Sequence, residues 1–416
     1  MDLHQQLFLE ALKASLENRT TDWEFDVSTE IWQEIFQLAE VHKVLPLIFE
    51  AVYTCPAVKN ISSQTFAVLK RRSIGAMILQ IQKTEKFLNL YKYLQEKELT
   101  ALVVKGIICR QLYPKPDLRG SSDEDFLIEE SSFLETVYAL QEYGMRMQKE
   151  SADIASEDEI GFLSSDHVSY IELHKRLFAV ESEAYGNLNQ FFEEPLKDCV
   201  WIEVQGTKVA TLSPDRHLLY LICHALKHFM HSGFGIRQVC DIVLFANVYG
   251  TQLDWGKLLE QCRKIHADKF SAALFKIGKK YLNFDEEKAA YPDEWREIEV
   301  DESHMLQELL DSGIYGSTSM SRKHSSNMTL EAVASGKKGE RFGNAVIKTM
   351  FPAAKDLEGR YHYLKKRPYL LPVAWSDRFL KYYKETRALE GDNAMDTIKI
   401  GNQRIELLKE YGIVKT

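Results

Sequence analysis

Residues 102–129 read LVVKGIICRQLYPKPDLRGSSDEDFLIE and contain the clearest chemical pattern in the chain. An apolar run, which predicts a buried strand, ends at Lys105 and Gly106, and a second apolar run follows Asp123 and Asp125. Side chains alternate along a strand, so carboxylates two residues apart point to the same face. Such a pair repels itself unless a cation lies between, and hard oxygen ligands suit Mg²⁺. The segment therefore predicts metal-dependent phosphoryl chemistry.

The composition of the chain argues against several classes of protein. Its 416 residues are enough for two or three domains, and 45% hydrophobic residues is normal for packed globular cores. A net charge of −9 argues against a general nucleic-acid-binding protein, which usually carries a basic surface. The six cysteines are scattered without a C-x-x-C pair, which indicates reduced thiols. Because we find neither a signal-peptide pattern nor an apolar run of membrane-spanning length, we expect a soluble, cytoplasmic protein.

The spacing of the apolar residues changes twice and divides the chain into three parts. Residues 1–95 have helical spacing, including a long helix from Ser63 to Lys97, and carry no chemical motif. Residues 96–212 mix short strands with helices and end in a hairpin that turns at Gly206. Residues 213–416 are again helical, interrupted near 311–343 by a serine- and glycine-rich segment that predicts a mobile loop. We therefore expect an α+β fold with a small mixed sheet between helical regions.

The middle part carries strands and helices in alternation. Its predicted helices and strands are Ala101–Val104, Ile107–Tyr113, Phe126–Ile128, Ser132–Tyr143, His167–His174 and the hairpin Val200–Thr211. Alternation along the segment that ends at His174 places Glu172 and His174 on one face of a strand. Glu172 is therefore a candidate partner for the two aspartates.

An ordered series of residues resembles the nucleotidyltransferase superfamily. The series is Lys105-Gly106, Tyr113-Pro114, Arg119, Asp123-x-Asp125, Glu172-Leu173-His174, His224, Lys227-His228, Arg237 and Asp241. Within the superfamily, the chain is most similar to an uncharacterised bacterial group that shares a K-G…Y-P…R…D-x-D pattern. The resemblance covers most of the chain, including the helical first part.

The resemblance implies a reaction and a role for each motif. A nucleoside monophosphate would pass from an NTP to a hydroxyl-type acceptor, a small molecule or a protein, with release of pyrophosphate. Two Mg²⁺ ions would be held by Asp123 and Asp125, with Glu172 as third carboxylate and possible base. The nucleotide would be bound by six residues of the series and its flanks: Lys105, Gly106, Arg119, Ser122, Lys227 and Arg237.

Each assignment has a simpler alternative that the sequence leaves open. Asp123 and Asp125 could form a solvated acidic junction, and Glu172 could be an exposed strand residue. Arg119 could pair with Asp117 or Asp123 instead of phosphate, and lysine at a strand end, as at position 105, is often only solvated. His174, in turn, could be a structural histidine.

Glu124 motivates a second hypothesis from a different class. It occupies a position where an apolar residue would pack into the core, and a buried acid is costly unless it is paired or solvated. The strand could start late or lie at an edge. Alternatively, the chain could be a catalytically degenerate module of the same fold that binds nucleotides or other proteins.

A group of histidines and a basic-aromatic run each have a functional and a structural explanation. Four histidines fall near one face of the predicted helix His217–His231, and His224 and His228 have the i, i+4 spacing of zinc ligands. This helix lacks the glutamate of a metalloprotease, so packing or a place beside the nucleotide cleft competes with a zinc hydrolase. The run Arg360–Tyr369 mixes basic and aromatic residues and could stack bases, but a solvated helix end is the simpler interpretation.

Overall fold

The computed structural model describes residues 1–149, 151, 153–231, 233–312, 320–338, 357, 361, 363–364, 367–377 and 394–414. It has the α+β fold expected from the sequence, with a small mixed sheet between helical layers. Parts of the predicted loop 311–343 and of the run Arg360–Tyr369 lie outside the described residues.

Four helices form the first part of the chain: α1 (Leu3–Leu16), α2 (Thr29–Val41), α3 (Leu45–Val52) and α4 (Ser63–Glu96). Ser62 caps α4, because its hydroxyl oxygen accepts a hydrogen bond from the backbone N–H of Thr65. The predicted long helix is thereby confirmed. The 34 residues of α4 connect the N-terminal helices to the sheet.

A five-stranded sheet follows, with strands β1 (Leu102–Val103), β2 (Glu124–Leu127), β3 (Arg146–Met147), β4 (Glu159–Leu163) and β5 (Tyr170–His174). The strand order is β1-β2-β5-β4-β3, and only the β2–β5 pair is parallel among these strands. Asp125 lies directly opposite Glu172 in that parallel register. The sheet therefore brings together two carboxylates that are 47 positions apart in the sequence.

Short helices connect the strands: α5 (Ile107–Arg110) lies between β1 and β2, and α6 (Phe133–Glu142) lies between β2 and β3. A separate hairpin of β6 (Val200–Val204) and β7 (Thr207–Thr211) turns at Gly206, as predicted. Tyr91 of α4 joins this hairpin to the sheet, because its hydroxyl donates to the Ala101 carbonyl and accepts from the Ala210 N–H.

Further helices in the described part of the chain are α7 (Pro214–His231), α8 (Ile236–Tyr249), α9 (Trp255–Lys264), α10 (Asp268–Tyr281), α11 (Asp293–Arg296), α12 (Ser303–Ser312), α13 (Met320–Lys337) and α14 (Ala394–Glu410). Much of the predicted loop 311–343 is thus the helix α13, which corrects that expectation. Thr329 and Ser325 are buried on this helix, and the Thr329 hydroxyl donates to the carbonyl of Met230 on α7. The helix forms because tertiary packing against α7 and α14 overrides its serine-rich composition.

Two hydrophobic clusters hold the elements together. The larger cluster joins α1–α3 to α7–α10. The smaller one packs α6 and the C-terminal half of α4 against the sheet. Phe126 lies at the centre of the smaller cluster and contacts Phe87 and Tyr91 edge-on. The polar edge of the sheet is left facing α7 and α8.

Several predicted boundaries differ from the observed ones. Strand β2 begins at Glu124, two residues before the apolar run, and helix α5 ends at Arg110 instead of Tyr113. His167 lies in a turn with positive φ, and β5 begins only at Tyr170. In each case hydrogen bonding to neighbouring elements sets the boundary, and apolar spacing alone does not report it.

None of the helices in the described part of the chain has the length and apolar character needed to cross a membrane. All six cysteines lie in that part and none forms a disulfide.

Candidate active site

The turn after β1 is shaped around a buried carboxylate. Gly106 has φ +53° and ψ −113°, and a Cβ at this position would lie 1.9 Å from Oε2 of Glu124. Glu124 Oε2 accepts a hydrogen bond from the Ile107 N–H at 2.7 Å, and Oε1 accepts from Arg110 Nη2 at 2.6 Å. Glycine is therefore needed here both for its backbone conformation and for the space it leaves.

Glu124 is neither at an edge nor solvated. It is buried on an interior strand and is neutralised by Arg110, whose side chain is 1% exposed. Burial raises the pKa of Glu124, and the Arg110 charge and the Ile107 N–H oppose that increase. The acid that sequence reasoning identified as awkward thus belongs to a buried ion pair, which fixes the turn at Gly106 to the start of β2.

Three side chains from two parallel strands converge on one face of the sheet. Asp125, Glu172 and His174 each offer a ligand atom, and these atoms lie within 4.8 Å of one another. His174 Nε2 lies 3.3 Å from Asp125 Oδ1 and 3.7 Å from Glu172 Oε2. Period-two alternation puts residues 172 and 174 on one face, and the β2–β5 register places Asp125 beside them. The predicted proximity of Glu172 to Asp125 is observed.

Lys105 links the two aspartates. Its Nζ lies 3.0 Å from Asp125 Oδ2, 3.3 Å from Asp123 Oδ2 and 3.4 Å from His224 Nε2. Asp123 precedes β2 and is not part of the three-residue group formed by Asp125, Glu172 and His174. Both oxygens of Asp125 thus face positively charged or protonatable groups, Lys105 on one side and His174 on the other.

The electrostatics of the site follow from these contacts. Burial by itself would raise the pKa of Asp125, but Lys105 and His174 outweigh it and hold the pKa well below its usual range. Burial would lower the pKa of His174, yet its contacts with Asp125 and Glu172 raise that pKa to about 9. Glu172 has a raised pKa, first because it is desolvated and further because Asp125 and Asp123 are close. The site therefore contains an ionised acid beside a second acid with a higher pKa.

A cleft lies beside Lys105 and Asp123, between the sheet and helices α7 and α8, and Asp125, Glu172 and His174 are not part of its lining. Its lining consists of Lys105, Gly106, Arg119, Ser121, Asp123, Leu221, His224, Arg237, Gln238 and Asp241. His224 is held by Gln238, whose Nε2 lies 3.3 Å from His224 Nδ1. Burial, followed by the charge of Lys105, lowers the pKa of His224 well below its ordinary value, so this wall of the cleft carries a neutral imidazole.

Arg119 pairs with an acid that the sequence-based alternative did not name. Its Nε and Nη2 donate to the two oxygens of Asp241 on α8, at 2.8 and 2.5 Å, and the pair is buried. The Tyr113 hydroxyl also donates to Asp241. The predicted ion pairs with Asp117 or Asp123 are therefore wrong. Nη1 of Arg119 has no hydrogen-bond partner among the described residues, and Arg119 lines the cleft.

Of the other predicted nucleotide ligands, Arg237 lines the cleft, whereas Ser122 and Lys227 lie outside its lining. The Ser122 hydroxyl donates to Asp123 Oδ1, and Arg237 donates to the carbonyl oxygen of Gly120. Lys227 lies deeper along α7, with Nζ 5.8 Å from the centroid of the Tyr185 ring, and burial lowers its pKa. Lys227 does not belong to the lining of the cleft at Gly106.

The four histidines of α7 have separate surroundings. His217 is fully buried in the core, where Nδ1 lies 3.1 Å from Thr211 Oγ1. His224 and His228 approach each other at 3.2 Å between their Nε2 atoms, and His231 contacts Tyr185. Within the part of the chain that the structure describes, no third ligand joins them in a metal-binding group. This arrangement favours hydrogen bonding along the cleft wall over a zinc site.

Sequence reasoning missed the residues that hold the site loop, which is the segment 120–123 leading into β2. Lys83 and Gln80 of α4 contact the backbone of residues 121 and 122, and Arg110 neutralises Glu124. These residues lie on helices with no motif of their own, so no local sequence signal distinguishes them from solvated polar residues. The acid at position 124 requires a partner if it is buried, but the sequence does not indicate that Arg110 is that partner.

Comparison with known proteins identifies the chain at the level of the family. A family model described as an uncharacterised nucleotidyltransferase matches residues 28–283, which is more than half of the chain and runs from the start of α2 to just beyond α10. Neither the curated proteins nor the solved structures provide a match. The matched span contains the sheet, the converging Asp125, Glu172 and His174, and the whole lining of the cleft. The chain therefore belongs to this uncharacterised nucleotidyltransferase family.

Proposed function

We propose that this protein transfers a nucleoside monophosphate from an NTP to a hydroxyl-type acceptor, a small molecule or a protein, with Mg²⁺ and release of pyrophosphate. The observation that carries the proposal is the convergence of Asp125, Glu172 and His174 beside a cleft that also exposes Lys105 and Asp123. Family membership supports nucleotidyl transfer in general, and the side chains at the cleft support the finer proposal.

The residues present fit a divalent cation. Asp125 and Glu172 offer carboxylate oxygens in a group whose ligand atoms lie within 4.8 Å of one another, and the positive charge of Lys105 lies between Asp123 and Asp125, where a cation would balance the two acids. Asp123, Asp125 and Glu172 would hold Mg²⁺, because carboxylate oxygens are its preferred ligands. When bound, Mg²⁺ would neutralise the leaving pyrophosphate and polarise the acceptor hydroxyl. Lys105 would then move from between the aspartates and contact phosphate.

Phosphate recognition falls to the groups on the opposite wall. Arg119 offers Nη1 while its other nitrogens stay fixed by Asp241, so the guanidinium is pre-positioned at the cleft. Gly106 lines the cleft, but the space left by its missing side chain is filled by Glu124, which also accepts the next N–H, that of Ile107. Arg237 and Ser122 complete the cationic and polar rim near Gly120.

Glu172 would accept the proton of the acceptor hydroxyl. Desolvation and the neighbouring aspartates raise its pKa toward the range in which a carboxylate works as a general base. Asp125, with its lowered pKa, stays ionised and would act as ligand throughout. His174 lies against both acids and would position them.

The test measures incorporation of label and release of pyrophosphate from each NTP, with and without Mg²⁺. Asp125→Asn and Asp123→Asn should reduce the rate by roughly 100-fold or more, the size typical of lost transition-state electrostatics. Asp166→Asn, at an exposed acid in the β4–β5 connection outside the cleft, is the matched control and should retain the wild-type rate.

Binding experiments separate the alternatives. If the wild type binds neither NTP nor Mg²⁺ in calorimetry, the proposal fails. If it binds NTP but its cellular function is unchanged by Asp125→Asn, the degenerate binding module is the better description.

A further inference from the structure

An open groove adjoins the cleft on the side of the N-terminal helices. It lies between the end of α2, the start of α3 and the middle of α4. Groove and cleft share Ser121 and Arg237 in their linings, so one molecule in the groove could reach the site loop. None of the residues proposed to bind the nucleotide or Mg²⁺ lies on α2, α3 or α4.

The wall of the groove is apolar over most of its surface. The apolar lining residues are Val41, Leu45, Pro46, Ala76 and Leu79. On α4 the lining residues Arg72, Ala76, Leu79 and Lys83 recur every three or four positions and therefore form one stripe. Leu79 is 43% exposed, so an apolar side chain here faces the groove without covering protein.

The charges of the groove are mainly positive, although the chain as a whole carries −9. Lys43, Arg72, Lys83 and Arg237 line it, against a single carboxylate, Glu40, which pairs with Arg72. Lys83 and Arg237 direct their donors to backbone carbonyl oxygens of residues 120–122, which are neutral groups. Glu124 and Asp123 also interact with the charge of Lys83, so the charges of Lys43 and Arg237 are the ones that favour an anionic ligand by electrostatic complementarity.

Hydrogen bonds also connect the groove to the site loop. Gln80 Oε1 accepts from the Ser121 N–H at 2.8 Å, and Lys83 Nζ donates to the Ser121 and Ser122 carbonyls at 2.8 and 3.3 Å. These two residues of α4 thus set the backbone that leads directly into Asp123. A ligand in the groove would lie against the side chains that position the loop.

We propose that this groove binds the acceptor, and that the acceptor is an amphipathic anion with an apolar body and a carboxylate or similar acidic group. This assignment rests on the proposed function, because an acceptor is needed only if the adjoining cleft binds the nucleotide. The apolar stripe would bind the body of the molecule, and Lys43 and Arg237 would attract its negative charge. Its hydroxyl would reach Asp123 and Asp125 over Gly120–Ser122.

A pair of fluorescent dyes tests the groove directly. Anilinonaphthalene sulfonate has an apolar body and a negative charge, whereas phenylnaphthylamine has the same body without the charge. The wild type should bind the anionic dye more tightly than the neutral one, by about tenfold or more. Leu79→Glu places a negative charge on the stripe and should lower the affinity for the anionic dye by about tenfold or more.

Ile78→Glu is the matched control. Ile78 is the next residue on the same helix, is 48% exposed, and lies outside the lining of the groove. The Ile78→Glu variant should bind the anionic dye as the wild type does. If Leu79→Glu unfolds, Leu79→Gln provides a variant without the added charge. Equal losses in the two glutamate variants, or no loss in Leu79→Glu, would overturn the proposal.

Displacement distinguishes acceptor from nucleotide. ω-Hydroxydecanoate should displace the dye from the wild type, whereas ATP with Mg²⁺ should not. If ATP displaces the dye, the groove is a nucleotide site and the acceptor assignment is wrong. If the dye binds as expected but calorimetry finds no nucleotide affinity, the proposed function fails and the groove loses its role as acceptor site. If the protein binds nucleotide but the dyes do not show the expected differences in affinity, the acceptor assignment is wrong and the proposed function stands.

Discussion

At the scale of single residues, the buried acid Glu124 shows how one side chain sets the geometry of the site. It accepts hydrogen bonds from Arg110 and from the Ile107 N–H, and its carboxylate fills the space that a side chain at Gly106 would need. Removing one member of such a buried pair is costly because the other charge stays buried without compensation. Glu124 therefore has a structural role, and it is not by itself a sign of a degenerate site.

Gly106→Ala should lower the free energy of unfolding by roughly 3–5 kcal/mol, because it combines backbone strain at positive φ with displacement of the Glu124–Arg110 pair. Urea denaturation provides the measurement. Gly206→Ala is the control: that glycine also has positive φ, but a Cβ added there would meet no atom within 4 Å, so only a strain of roughly 1–2 kcal/mol is expected. Equal losses of unfolding free energy in the two variants would show that the Glu124 carboxylate can move aside without measurable cost.

At the scale of elements, the loop before β2 is fastened to α8 by a buried polar network. Arg119 makes a two-point ion pair with Asp241, and Tyr113 donates to the same carboxylate. Asp241 is thus the point at which the helical part of the chain holds the segment that leads to Asp123. Because both sides of the cleft depend on it, the network couples the position of α8 to the geometry of the site.

Asp241→Asn should cost roughly 3–5 kcal/mol of unfolding free energy, since it leaves the buried Arg119 without a counter-charge. Tyr113→Phe should cost only about 1 kcal/mol, because it removes one hydrogen bond and leaves the ion pair intact. Chemical denaturation of both variants under the same conditions gives the comparison. A Tyr113→Phe loss as large as that of Asp241→Asn would show that the ion pair is not the main contact.

At the scale of the whole molecule, the packing of the helices buries histidines in neutral form. His42 at the end of α2 and His217 near the start of α7 are fully buried, and burial lowers the pKa of each to about 4. Both belong to regions that join distant parts of the chain, since the Ile236 N–H donates to His42 and Thr211 lies beside His217. The stability of the assembled molecule is therefore linked to pH.

Stability should fall as the pH decreases from 6.5 toward 4, because the unfolded chain binds protons that buried His42 and His217 do not. The expected slope is about 1.4 kcal/mol per pH unit for each histidine. His174 acts in the opposite sense: its pKa is raised to about 9, so its stabilisation is complete below pH 6.5 and is lost as the pH rises through 9.

His217→Asn should flatten the acid slope by the contribution of one histidine, whatever its effect on absolute stability. Urea denaturation at several pH values between 5 and 6.5 gives the slope for both proteins. An unchanged slope would mean that His217 is protonated in the folded state.

Local patterns in the sequence determined the elements and part of the site. Apolar spacing predicted the long helix from Ser63 to Lys97, observed as Ser63–Glu96, and the hairpin that turns at Gly206. Alternation placed Glu172 and His174 on one face, since side-chain direction in a strand depends only on position along it. The order of the motifs likewise indicated the family that the comparison confirms.

Tertiary structure decided everything that depends on contacts between distant segments. The partner of Arg119 is 122 positions away on α8, and no local pattern selects Asp241 over the nearer acids. Helix α13 forms because it packs on α7 and α14, against the indication of its own composition. The groove exists only where α2, α3 and α4 meet the site loop. Periodicity is a property of short stretches, whereas ion pairing and burial are properties of the folded chain, and that difference separates what could be predicted from what could not.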